Sequence, residues 1–129
     1  MVEPKNEGVP FFIVDVFAEH KYSGNQLAVV ISGETFTSDV MQRIAKEMNY
    51  SETTFVTSVE TATVRIFTPE VELPFAGHPT IGTAFVLQQE FMKGKAKTMT
   101  INLKIGVIPI LFKFKGDILA ETWMEHKKP

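Results

Sequence analysis

Apolar and polar positions alternate most cleanly toward the C-terminal end of the chain. Met99, Ile101, Leu103 and Ile105 stand between Thr98, Thr100, Asn102 and Lys104. A period of two is that of a strand with one buried face. Residues 107–114 and 118–124 continue as strands, set apart by Gly106 and by Lys115-Gly116-Asp117, so an antiparallel meander is predicted. Pro109 lies inside the second of these strands and predicts an edge position or a bulge there.

The period changes elsewhere. Val40, Ile44 and Met48 recur every four residues, with Met41 and Ala45 beside them and Gln42, Arg43, Lys46 and Glu47 on the other face. That is an amphipathic surface helix over 38–48, capped by Thr37 or Ser38 and followed by Asn49 as a left-handed stop. Residues 81–89 carry no charge, and a helix that is apolar nearly all round is a buried one. Pro79 suits its first turn, and Gly77 is read as freeing the backbone to turn into it. The remaining apolar segments, 10–18, 27–31, 52–57 and 62–68, read as strands, the first of them buried despite Asp15. Residues 1–9 read as a loose arm, 21–25 and 93–95 as turns, and 126–129 as a short polar end. About seven strands and two helices result. A mostly antiparallel sheet curled around a buried central helix fits that α+β inventory.

Composition narrows the setting. At 129 residues the chain suffices for one domain, 1–129, with its own core. Apolar residues make up 44% and the net charge is −2, which predicts a globular protein with no nucleic-acid partner. No cysteine is present, so disulfides, Cys–zinc sites and thiol catalysis are excluded together. No apolar run reaches membrane-spanning length and no signal peptide is apparent, so the expectation is a cytoplasmic protein without a membrane partner.

Two stretches could carry chemistry. In Ser51-Glu52-Thr53-Thr54-Phe55, a Glu stands at a strand entrance just after a helix-ending turn. It reads either as an ordinary turn carboxylate or as a general acid/base, a role that needs partial burial. In Pro74-Phe75-Ala76-Gly77-His78-Pro79-Thr80-Ile81-Gly82, a helix start presents backbone N–H groups and a positive dipole, which favour a carboxylate or phosphate. His78 there is either held by local hydrogen bonds or, as a neutral imidazole, a donor to substrate. Asp15 and Glu72 remain ambiguous carboxylates. His20 and His126 lie far off in sequence and no histidine pair has ligand spacing, so no metal site is expected.

Together these stretches resemble the phenazine-biosynthesis PhzF-like family, of diaminopimelate-epimerase-like fold. The pieces that match are Asp15-Val16-Phe17, Gly24-Asn25-Gln26-Leu27-Ala28-Val29 and Met41-Gln42-Arg43-Ile44-Ala45-Lys46-Glu47-Met48-Asn49. They continue with Ser51-Glu52-Thr53-Thr54-Phe55, Arg65-Ile66-Phe67-Thr68-Pro69 and Glu72 through Gly82, in the family's order and spacing. The final strands match as a pattern only. The resemblance implies one half of a two-half fold, each half a sheet wrapped around a central helix, with the active site in the cleft between them. It implies an isomerase that moves a proton on a small carboxylic acid and uses no metal or organic cofactor. It makes Glu52 the catalytic residue and places Gly77, His78, Ser51 and Asn25 in substrate binding. The lack of cysteine agrees with this branch, because the racemase and epimerase relatives use a pair of thiols.

The family's second half carries a Glu-Asp-Pro-Ala-Thr-Gly-Ser-like stretch, and none occurs here. Two expectations follow. The chain is an isomerase whose site is completed by a second chain, as a homodimer or with a separate half-domain. Or it is a non-catalytic or truncated half that acts as a carboxylate-binding or structural module.

Overall fold

A computed structural model describes residues 8–16 and 25–125. Of the expected turn at 21–25, residues 21–24 lie outside the described residues, as do most of the N-terminal arm, His20 and His126, and Asn25 already belongs to a strand. The elements are β1 (Phe11–Val16), β2 (Asn25–Ile31), α1 (Ser38–Met48), β3 (Glu52–Ser58), β4 (Thr63–Phe67), β5 (Glu72–Leu73), α2 (Gly77–Phe91), β6 (Thr98–Leu103), β7 (Gly106–Lys115) and β8 (Ile118–Met124).

The strands form one sheet in the order β1-β2-β3-β4-β6-β7-β8, with the two-residue β5 paired to β4. Most neighbours are antiparallel, but β2 runs parallel to β3 and β4 parallel to β6. Each parallel step is bridged by a helix, α1 for the first and α2 for the second, as a crossover requires. The sheet curls around α2, which touches both of its outer strands, β1 and β8, as well as β2, β3 and β6. This is the expected α+β half: a mostly antiparallel curled sheet around a buried central helix.

The burial of α2 follows from its sequence. Its Pro79, Thr80, Gly82, Thr83, Ala84, Val86, Leu87 and Gln88 are all buried. Leu87 and Val86 join Val29, Val56, Ile66, Ile101 and Phe112 in the main core. α1 covers the outer side of the sheet, where Met41 and Ala45 pack on Val30, Phe55 and Phe67. The Phe55 and Phe67 rings meet edge to face at 5.4 Å. Thr37 caps α1 by accepting from the Val40 N–H at 3.2 Å, and Asn49 ends it at φ 57°. Among the described residues no helix is long and apolar enough to cross a membrane.

Several expectations are corrected. β1 is an outer strand with alternating exposure rather than a buried one, and Asp15 is exposed on it. β7 lies between β6 and β8, so Pro109 is not on an edge strand, and the β7 bulge falls at Lys113/Phe114 instead. Pro109 is tolerated because β8 pairing stops beside it, at Ile110↔Met124. Its carbonyl accepts from Glu125 N at 3.1 Å. In an antiparallel ladder N and O of one residue point to the same neighbour, so the missing donor faces the end of β8. α2 begins at Gly77, so Gly77 and His78 are its first two residues rather than a turn ahead of it.

Candidate active site

α2 is registered against β2 and β3 at three points. Asn25 Nδ2 lies 3.3 Å from His78 Nδ1. Leu27 packs on Gly82, where a Cβ would stand 2.6 Å from Leu27 Cδ2 and 2.8 Å from Val16 Cγ2. Thr54 Oγ1 and Thr83 Oγ1 are hydrogen-bonded at 2.8 Å, both side chains fully buried. From Asn25 to Leu27 a strand rises about 6.6 Å, and from His78 to Gly82 a helix rises about 6 Å. β2 therefore runs alongside α2 in the same direction. β3 does so too, because it is parallel to β2 with Leu27 opposite Glu52.

This arrangement sets the direction of Glu52. Side chains two apart on a strand share a face. Thr54 faces α2, so Glu52, two residues earlier in β3, faces α2 as well and lies one step nearer its N-terminus. It is half-buried. Ser51 is exposed in the connection just before β3. Asn25 and Glu52, at the starts of two adjacent strands, thus stand at the end of the sheet where α2 begins. Within the expected set, Asn25 and His78 meet in a direct side-chain hydrogen bond.

The two helix starts differ. α1 is capped by the Thr37 hydroxyl, whereas α2 is preceded by Ala76, which has no capping group. The first turn of α2 carries no acidic residue. Its dipole end is directed at the Asn25–Glu52 end of the sheet. The Asn25 amide nitrogen can only donate, so Nδ1 of His78 accepts and the ring hydrogen belongs on Nε2.

Gly77 does not play the part that the sequence suggests for it, and Gly82 is the constrained glycine. A Cβ on Gly77 would meet Met124 Cε at 3.6 Å, an ordinary contact, and its φ lies outside the left-handed region. The fold therefore does not require glycine there. Gly82 is the position where two strands approach the helix too closely for a side chain.

Glu72 is not a free carboxylate. Arg65 grips it through two bonds, Nε to Oε2 and Nη2 to Oε1, each 2.8 Å. Lys104 Nζ reaches Oε1 at 2.9 Å, and Arg65 Nη2 also donates to Ser38 Oγ at 2.9 Å. The Arg65 hydrogen bonds hold the Glu72 carboxyl below the usual carboxylate range; partial burial opposes them and Lys104 adds to them. Glu72 in turn raises Arg65. The clasp fixes β5, and with it the short approach to α2, against β4 and the start of α1.

A cleft of about 430 Å³ opens beside the first turns of α2, between β1 and β8, with Val16, Ile81, Phe85 and Trp123 in its lining. Among the described residues, no three of His, Asp and Glu come together as a metal site.

A family model described as phenazine biosynthesis-like protein matches residues 14–129. The chain belongs to this PhzF-like family. It is 36% identical to trans-2,3-dihydro-3-hydroxyanthranilate isomerase of Pseudomonas aeruginosa, over 92% of this chain and 46% of that protein. It is 43% identical to an uncharacterised isomerase of Pasteurella multocida, over 81% of this chain and 37% of that one. A crystal structure of a PhzF-family protein from Enterococcus faecalis superposes with a TM-score of 0.72 at 36% identity, covering 81% of this chain and 40% of that one. The Bacillus anthracis PhzF-family structure gives 0.73 at 32% identity, over 90% of this chain and 39% of its own. The PhzF-like chain thus spans less than half the length of the curated relatives it matches.

Sequence reasoning passed over Thr54, Thr83 and Gly82. A signal was available for Thr83. A buried helix that still contains Thr80, Thr83 and Gln88 must find partners for three polar side chains.

Proposed function

We propose that this PhzF-like chain supplies one half of an isomerase site that moves a proton on a small carboxylic acid without a cofactor. Residues 1–129 act as one domain, equivalent to the N-terminal half of a full-length relative. A second chain, most simply a second copy in a homodimer, provides the facing wall and excludes water. What supports this reading is the Asn25–His78 contact at the start of α2, with Glu52 at the start of the neighbouring strand, opposite Leu27.

In this reading the start of α2, at Gly77 and His78, holds the substrate carboxylate with its backbone N–H groups and dipole. Glu52 takes a proton from one carbon of the substrate and returns one to another, so the double bond shifts and no atom is gained or lost. Asn25 fixes the His78 ring through Nδ1, and His78 Nε2–H is the donor toward substrate. Ser51, beside Glu52, contacts the substrate from the same connection. The substrate class follows from the named relative: a cyclic, unsaturated amino acid of the dihydro-hydroxyanthranilate kind.

Solvent-deuterium incorporation into trans-2,3-dihydro-3-hydroxyanthranilate, followed by NMR, tests the proposal. Wild-type chain is expected to catalyse it, and Glu52→Gln to lose it by two or more orders of magnitude, about the full worth of a general acid/base. Equal rates in the two proteins would remove Glu52 from its role. The second reading is a non-catalytic half that binds a carboxylate or a partner half. A monomeric mass by light scattering, together with no exchange, would establish it instead.

A further inference from the structure

The fully buried hydroxyl pair of Thr54 and Thr83 joins the strand that carries Glu52 to the helix that carries Gly77 and His78. Elsewhere that strand–helix contact is apolar: Val56, which continues the α2-facing row of β3, lies in the same cluster as Ala84 and Leu87. A 2.8 Å hydrogen bond between two short side chains adds a distance and a direction to what that packing already requires. Burial adds to this, because a hydroxyl deprived of its partner has no water to turn to. The other two anchors reach β3 only through the β2–β3 ladder. Asn25 with His78 and Leu27 with Gly82 fix α2 to β2.

We infer that Thr83 is a positioning residue for Glu52: through Thr54 Oγ1 it sets the height of the β3 entrance against the first turn of α2. The inference rests on the proton-transfer reading of Glu52 given above. Glu52 and Thr54 are two residues apart on one face, so a slip of β3 along α2 moves the carboxylate by the same amount relative to the helix start. The carboxylate of the substrate sits on α2 and the proton acceptor sits on β3. Their separation is therefore the quantity that the Thr pair controls, and displacement of a reacting group by a fraction of an ångström lowers turnover more than binding.

The test compares Thr83→Val, Thr83→Ser and the double variant Thr54→Val/Thr83→Val in the deuterium-exchange assay, with unfolding midpoints measured alongside. Thr83→Val is expected to lower kcat about five- to tenfold, the worth of one buried hydrogen bond, with KM changed less than about twofold. Thr83→Ser keeps the hydroxyl and is expected to restore kcat. The double variant leaves no orphaned hydroxyl, so its stability returns toward wild type while its kcat stays as low as that of Thr83→Val. A double variant with wild-type kcat would overturn the inference, since the pair would then matter only to the core. So would a loss in Thr83→Val that appears wholly in KM.

Wild-type chain that exchanges no deuterium defeats the site reading first, and Thr83 is then judged by NMR alone. Positioning requires Thr83→Val to displace the Glu52 and Gly77 amide signals together, and Thr83→Ser to leave them in place. Unmoved signals in Thr83→Val would end the inference.

Discussion

Gly82→Ala is the sharpest perturbation that the packing of α2 offers. An added methyl would lie 2.6 Å from Leu27 Cδ2 and 2.8 Å from Val16 Cγ2, with Val14 Cγ2 at 3.7 Å. Carbon atoms in contact sit about 3.5–4.0 Å apart, so two of the three approaches overlap by close to 1 Å. Leu27 and Val16 are buried at 1% and 6% exposure and have little room to rotate away. Overpacking of this kind costs about 1–3 kcal/mol, and alanine returns at most about 1 kcal/mol of helix propensity. The expected balance is a loss of up to about 2 kcal/mol, measured as a lower urea midpoint at unchanged m-value. Leu27→Val combined with Gly82→Ala should recover part of that loss, because the closest atom is shortened away. Gly77→Ala is the control: its methyl meets Met124 at 3.6 Å, and stability should stay within about 0.5 kcal/mol. A Gly82→Ala protein more stable than wild type by the helix-propensity gain would refute the close-approach argument.

Other expectations follow from single features. If Gly77 serves the ligand rather than the fold, Gly77→Ala should weaken carboxylate binding, read by titrating anthranilate against the His78 NMR signals, while the unfolding midpoint stays put. Thr37→Ala removes the α1 cap and should cost about 1 kcal/mol in chemical denaturation. Glu72 has a folded pKa below its unfolded one, so its contribution is present above the ordinary carboxylate range and lost as pH falls through the lowered value. The thermal midpoint should therefore drop on acidification, and Glu72→Gln should be less stable at neutral pH yet show a smaller drop. Parallel acid profiles for the two proteins would mean that the Arg65 clasp carries no acid sensitivity.

What was readable in the sequence was mainly what is local. Helix α1 announces itself through the spacing of Val40, Ile44 and Met48, and its cap and left-handed stop depend on single side chains, Thr37 and Asn49. The burial of α2 follows from its uncharged run over 81–89. β5 was not foreseen, because Glu72-Leu73 is too short to carry a period and exists by pairing with Ile66 and Phe67. Pro109 pointed to an edge because composition registers the missing N–H but not where a neighbouring strand stops. The parallel junctions were equally silent, since alternation fixes a strand's face and says nothing about its partner. For the site, family resemblance brought Asn25 and His78 into one set, and their contact across 53 positions of sequence is a tertiary fact. The distinction between Gly77 and Gly82 belongs to the same class: both look like motif glycines, and only the distance to Leu27 separates them.

The two parallel steps also bear on how the chain reaches this state. β3 with β4, β6 with β7 and β7 with β8 are hairpins between consecutive strands, and such units form within about 1–10 μs. Leu27 must find Glu52 across α1, and Thr63 must find Asn102 across α2, before either junction exists. Loop closure of this kind precedes the contacts that reward it and slows folding. Asn25, Glu52 and His78 lie on three segments that meet only through the β2–β3 junction and the docking of α2. Pulsed hydrogen exchange during refolding should accordingly protect the Leu111 and Trp123 region before Val30 and Thr54. Assembly of the end that holds Asn25, Glu52 and His78 is then a late, cooperative event, and the meander can be built and lost without it.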